Sequence, residues 1–194
     1  VLIVQPNFEP HYEKFEVTEK EQLERISQLA NKSIQDQIDL LVLPETVFTI
    51  RLNNKEKEPV FKQIREWQKR FPNLNVISGF ASQRVLPDSE TSTQFTRTSQ
   101  WSNGKTLRWE AGNIAYFFGN RNDPLYYKSK LVPGAEFFPY YNLLFVFENI
   151  ARSLGGSLEG FRTQDNAQVF SEAPALAPII CYESIFGDYC RRYV

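Results

Sequence analysis

The stretch IDLLVLPE, residues 38–45, constrains the fold more than any other. Leu40 to Leu43 form an apolar run with no polar interruption, stopped at Pro44-Glu45. Such a run suits a strand covered on both faces, as in parallel sheets, rather than one with a wet side. VLIVQPN at the start and NVISGF from Asn75 have the same character. Two amphipathic segments separate the three runs. In VTEKEQLERISQLANKSIQDQ, residues Leu23, Ile26, Ala30 and Ile34 share one helical face, and Thr18 with Glu21 has capping-box spacing. In KEPVFKQIREWQKRF, residues Val60, Phe61, Ile64, Trp67 and Phe71 do the same. Strand, helix, strand, helix, strand predicts an α/β domain.

From Gln94 to Tyr127 the pattern changes to strands and turns. TQFTRTSQW alternates, Ser102 to Lys105 reads as a turn, and NIAYFF and PLYYKSKLVP supply short strands. YYNLLFVFENIARSLGG has the spacing of a helix closed by Gly155-Gly156. A short strand near QVF and a closing strand LAPIICYE follow, then a helix over SIFGDYCRRYV. No repeat or linker divides the chain, so residues 1–194 are expected to form one domain.

Composition removes several function classes. A net charge of −1 with interspersed signs leaves no basic stripe for nucleic acid. The richest apolar stretch, YYNLLFVFENI, is interrupted by Asn142, Glu148 and Asn149, so no segment is expected to span a bilayer. The 2 cysteines, Cys181 and Cys190, make neither a disulfide framework nor a paired zinc site, and no metal or cofactor is expected. The single histidine, His11, lies in NFEPHYEKF and reads as a loop residue, which disfavours Ser-His-Asp and Cys-His catalysis.

Three ionisable residues instead follow apolar strands: Glu45 after DLLVLP, Lys128 after PLYY, Cys181 after LAPII. Ligands of open α/β sheets bind beyond the carboxyl ends of strands, so these three can share one pocket. Taken singly, each has an ordinary reading: a loop carboxylate, a surface lysine and a small core hydrophobe.

The blocks VQPN at 4–7, LPET at 43–46, YYKSKLVPGAEFFP at 126–139 and ICYESIFGD at 180–188 occur in an order that resembles the nitrilase superfamily, and within it the apolipoprotein N-acyltransferase branch. The third block is the most specific. The resemblance implies an α-β-β-α sandwich, C-terminally incomplete here, because the family's domain continues well past the nucleophile. It also implies a catalytic triad of Glu45 as general base, Lys128, and Cys181 as nucleophile. Glu136, Tyr182 and Glu183 match further residues of the family's site; Glu136 and Glu183 can hold Lys128, and Glu183 equally reads as a carboxylate at a helix N-terminus, where the dipole favours it. The family commonly has histidine at Lys130 and Phe-Gly where Gly134-Ala135 stands. The eight-residue distance to Glu136 favours Lys128 over Lys130.

The activity so implied moves a fatty acyl group from a phospholipid, through a cysteine thioester, to the α-amino group of a diacylglyceryl-cysteine at an apolipoprotein's N-terminus. The implied setting is the bacterial inner membrane, facing the periplasm, with membrane attachment through segments outside this chain. Residues 1–194 alone are expected to be inactive. The competing expectations are a soluble amidase or nitrile-type hydrolase of the same superfamily, and a non-catalytic binding domain. Cys190 is expected to be structural.

Overall fold

The computed structural model describes residues 1–8, 17–45, 48–100, 104–119, 123–133, 136, 160–171 and 175–194. His11, the turn residues Ser102 and Asn103, Gly134-Ala135 and the expected helix over YYNLLFVFENIARSLGG lie outside them. The described elements are β1 (Leu2–Ile3), α1 (Glu19–Ser33), β2 (Leu40–Val42), β3 (Phe48–Arg51), α2 (Pro59–Arg70), β4 (Asn75–Val85), β5 (Arg97–Gln100), β6 (Thr106–Phe118), β7 (Leu125–Tyr127) and α3 (Gly187–Cys190). Short 3-10 turns cover Leu52–Lys57, Cys181–Ile185 and Arg191–Tyr193.

Among the described residues, the strands form one mixed sheet in the order β1-β2-β4-β6-β5. β3 adds to β4 beyond the end of β2, and β7 adds to β6. β1, β2 and β4 are parallel and joined through the two helices as expected; β3, an additional strand between β2 and α2, also runs parallel to β4. β6 runs antiparallel to β4, and β7 antiparallel to β6. β7 therefore points the same way as β2, and both strands discharge their next residues at one end of the sheet.

α1 opens on the expected capping box, with the Thr18 side chain accepting from the Glu21 amide and the Glu21 carboxylate accepting from the Thr18 amide. Ile26 and Ala30 of α1 pack with Phe61, Ile64 and Trp67 of α2 against Phe80, Ile114, Tyr116 and Phe118 of the sheet. The opposite sheet face carries a second cluster of Leu40, Ala115, Phe117, Tyr126, Phe170 and Ile180. Side chains alternate faces along a strand, so Asn113 shares the face of Ala115 and Phe117, away from the helices. Gly112, next to it, lets the Tyr127 ring lie on the strand: a Cβ there would stand 2.9 Å from the ring.

Four expectations need correction. β4 and β6, at 11 and 13 residues, far exceed NVISGF and NIAYFF. They pair with each other from Val76–Phe118 to Val85–Trp109, and that ladder carries their polar ends as strand. VLIVQ is only half covered: Val4 is buried, but Ile3 is exposed on the outer strand. No closing strand runs through LAPIICYE, which makes only a one-residue bridge, Leu176 to Phe170. Pro178 has no N–H to give a ladder, the Ile179 N–H turns back to the Ala177 carbonyl, and the Ile180 N–H bonds to the Glu183 carboxylate. Finally, SIFGDYCRRYV forms short 3-10 turns and the four-residue α3 rather than one helix. A helix there would have set its positive end at Cys181, where it favours a thiolate; the short 3-10 turn does not supply that.

Candidate active site

Glu45 leaves the end of β2 through Leu43 and Pro44, whose backbones still bond to β4. Lys128 leaves the end of β7, and its N–H bonds to the Asn113 carbonyl, prolonging the ladder by one residue. The lysine side chain is only 1% exposed. An ammonium so deeply buried requires charged or hydrogen-bonding partners. Among the described residues these are the Glu136 carboxylate at 2.8 Å and the Glu45 carboxylate at 3.8 Å. Glu45 is about one-third exposed, so its carboxylate remains open to an incoming group.

Glu136 is fixed from two further sides. Its Oε2 accepts the Val132 N–H at 2.7 Å, and its backbone N–H returns to the Val132 carbonyl. Asn113 then ties the two carboxylates together. Its Nδ2 donates to Glu45 Oε1 at 3.0 Å and to Glu136 Oε1 at 3.1 Å. One amide group with two hydrogens thus serves both carboxylates beside one ammonium. The motifs do not include Asn113. The signal for it was a lone amide in AGNIAYFF, an otherwise apolar strand, where a buried polar group demands a partner.

The 3-10 turn Cys181–Ile185 presents the thiol. Cys181 is exposed and has φ of 44°, in the left-handed region. A non-glycine residue pays about 1 kcal/mol or more for that conformation, and keeps it only where its surroundings enforce it. Glu183 does the enforcing. Its fully buried carboxylate accepts the Ile180 N–H at 2.7 Å on one oxygen. The other oxygen accepts the Ser129 N–H at 2.6 Å, the Lys130 N–H at 3.3 Å and the Tyr126 hydroxyl. The residue before Cys181 and the residue after Lys128 are therefore bonded to one carboxylate.

Of the two readings of Glu183, the structure favours the carboxylate at the start of a turn: it joins two backbones, while Glu136 pairs with the Lys128 ammonium. Tyr182 is half-buried and packs edge-on against Phe186, with ring centroids 5.2 Å apart. Lys130 lies over the rings of Phe186 and Tyr189 rather than among the carboxylates. Cys190 is a free, half-buried thiol near the Glu183 and Ser184 carbonyls. Among the described residues, no group of histidine, cysteine and carboxylate side chains is arranged to hold a metal ion.

No protein-family model matches the chain. The apolipoprotein N-acyltransferase of Chlorobaculum tepidum is 26% identical to it over 208 aligned positions, which take in 100% of this chain and 37% of that protein. The chain is similar to apolipoprotein N-acyltransferases. Those of Rhodopseudomonas palustris and Bradyrhizobium diazoefficiens are each 42% identical to it, over 66 and 71 residues. These matches cover 33% and 35% of this chain, and 12% and 13% of the two N-acyltransferases. The chain spans little more than a third of the N-acyltransferase that it matches throughout.

Proposed function

We propose that this chain is the catalytic part of an enzyme that N-acylates lipoproteins, working through a thioester on Cys181. The observation that carries the reading is the Lys128 ammonium, buried between Glu45 and Glu136 at the sheet end from which Glu45 also emerges. The strained, exposed Cys181, bonded through Glu183 to the Lys128 arm, supports it. So does the similarity to apolipoprotein N-acyltransferases.

In this reading Glu45 takes the thiol proton, and the sulfur attacks the ester carbonyl of a phospholipid. Lys128 and the Tyr182 N–H face the tetrahedral oxyanion, where fixed donors act most strongly. Collapse breaks the ester C–O bond. Glu45 gives its proton to the departing lysophospholipid alcohol, and the acyl group stays on Cys181. The α-amino group of an apolipoprotein's diacylglyceryl-cysteine then attacks the thioester. Glu45 takes the amine proton and returns it to the leaving thiolate, completing an amide. Glu136 and Asn113 keep the ammonium and Glu45 in register.

Residues 1–194 read as one nitrilase-like catalytic domain. The apolar sheet face carrying Phe117, Tyr126 and Ile180 is the face that a second sheet layer covers in an α-β-β-α sandwich. No helix among the described residues is long and apolar enough to cross a membrane. Membrane attachment, at the periplasmic face of a bacterial inner membrane, belongs in this reading to segments outside the chain. The test supplies the full-length protein with phospholipid and a diacylglyceryl-cysteine peptide. An amide-linked acyl product that disappears in Cys181→Ser supports the proposal. Release of free fatty acid alone, or release of ammonia from small amides, replaces it with a hydrolase.

A further inference from the structure

Behind Glu183 lies a cluster of hydroxyls that the proposed chemistry does not use. Tyr126, fully buried in β7, hydrogen-bonds the Glu183 carboxylate. Its oxygen stands 2.6 Å from the Tyr189 hydroxyl and 3.2 Å from Ser129 Oγ. The Tyr189 hydroxyl donates to Ser129 Oγ at 2.7 Å, and Tyr193 lies 3.4 Å beyond it. Tyr126 and Ser129 flank Lys128, while Tyr189 and Tyr193 follow Cys181 in the chain.

A phenol has one proton to donate. Tyr126 gives it to Glu183 and Tyr189 gives its own to Ser129 Oγ, which leaves the Ser129 hydroxyl to donate to the Tyr126 oxygen. Glu183 in turn fixes the Ile180 N–H and, through it, the left-handed turn at Cys181. From this chain of contacts we infer that Tyr126 is a positioning residue for Cys181: its hydroxyl locks the Glu183 carboxylate in the orientation that holds the thiol-bearing turn against the Lys128 arm. This rests on the reading of Cys181 as nucleophile, but it makes a separate claim about geometry. Without the hydroxyl, Glu183 turns toward its backbone donors on the Lys128 arm. The Ile180 N–H is then released, and Cys181 relaxes out of the left-handed region.

The test uses the full-length protein with Tyr126→Phe, and with Tyr189→Phe as a second route to the same hydroxyl. Thioester formation from phospholipid is measured in a single turnover. Alkylation by iodoacetamide is followed separately at Cys181 and at half-buried Cys190. The expected result is a loss of thioester formation of about tenfold or more, the effect of one hydrogen bond to a charged group. Alkylation of Cys181 falls relative to Cys190, while the melting temperature stays within a few degrees. Unchanged acylation and an unchanged Cys181-to-Cys190 ratio in a folded variant overturn the inference. So does an equal change at both thiols, which marks general loosening. If the parent protein forms no thioester, the proposed function fails. The alkylation ratio still decides whether Tyr126 holds the turn.

Discussion

Replacing Glu183 with glutamine changes one atom and removes one charge at the point where the two arms of the site meet. The amide oxygen can stay on the crowded side, where the Ser129 and Lys130 N–H groups and the Tyr126 hydroxyl converge. The new NH2 then faces the Ile180 N–H, which had an acceptor at 2.7 Å. A donor facing a donor leaves a buried amide unpaired, at a cost of about 2–3 kcal/mol. The other three bonds lose their charge-assisted strength. That loss is offset in part because a carboxylate no longer has to be kept out of water. The net expectation is a destabilisation of about 2–3 kcal/mol. With a urea slope of about 2 kcal/mol/M, the unfolding midpoint falls by about 1 M or more. Urea titration followed by circular dichroism and tryptophan fluorescence measures it. A midpoint within about 0.2 M of the parent would refute the assignment of Glu183 as the bond between the arms.

Lys128→Ala abolishes acylation, whereas Lys130→Ala, whose ammonium lies over aromatic rings, keeps most of it; mass spectrometry of the acyl adduct distinguishes them, and the reverse result would shift the catalytic lysine by two residues. Gly112→Ala puts a methyl group 2.9 Å from the Tyr127 ring and destabilises by about 1–3 kcal/mol, the usual range for overpacking, read as a lowered melting temperature. Burial raises the phenol pKa of Tyr116, Tyr126, Tyr127 and Tyr193 above the ordinary value of 10.0. A raised folded-state pKa gives stability that is intact below about pH 10 and lost as the pH climbs past it. Tyrosinate absorbance from the buried Tyr116 and Tyr126 should therefore appear only together with loss of the folded circular dichroism signal; ionisation of these two in a folded chain would contradict their burial.

Much of the parallel half of the sheet was legible because each local signal agreed with the fold. The capping box at Thr18 and Glu21, the apolar faces of both helices and the uninterrupted Leu40–Leu43 run all specify the same arrangement. Glu45 and Lys128 stand 3.8 Å apart, a proximity that the strand-end rule allows and the four ordered blocks imply. Asn113 was missed because its importance lies in register: only the β6–β7 pairing sets it beside Lys128. The Cys181 segment was misjudged for the opposite reason. LAPII has the apolar content of a strand, yet Pro178 and the Glu183 carboxylate divert its N–H groups into local bonds. For Glu183 the sequence leaves two readings, a partner of Lys128 and a carboxylate at a helix start. Nothing in the sequence alone tells whether a buried carboxylate answers an ammonium or several backbone donors.

The most direct measurement is the intact mass of the full-length protein after exposure to phospholipid without acceptor. The expected result is one added acyl chain, mapped to Cys181, released by hydroxylamine, and missing from both Cys181→Ser and Lys128→Ala. An unmodified Cys181 under conditions in which lipoprotein is acylated, or an adduct that persists in Cys181→Ser, would contradict it.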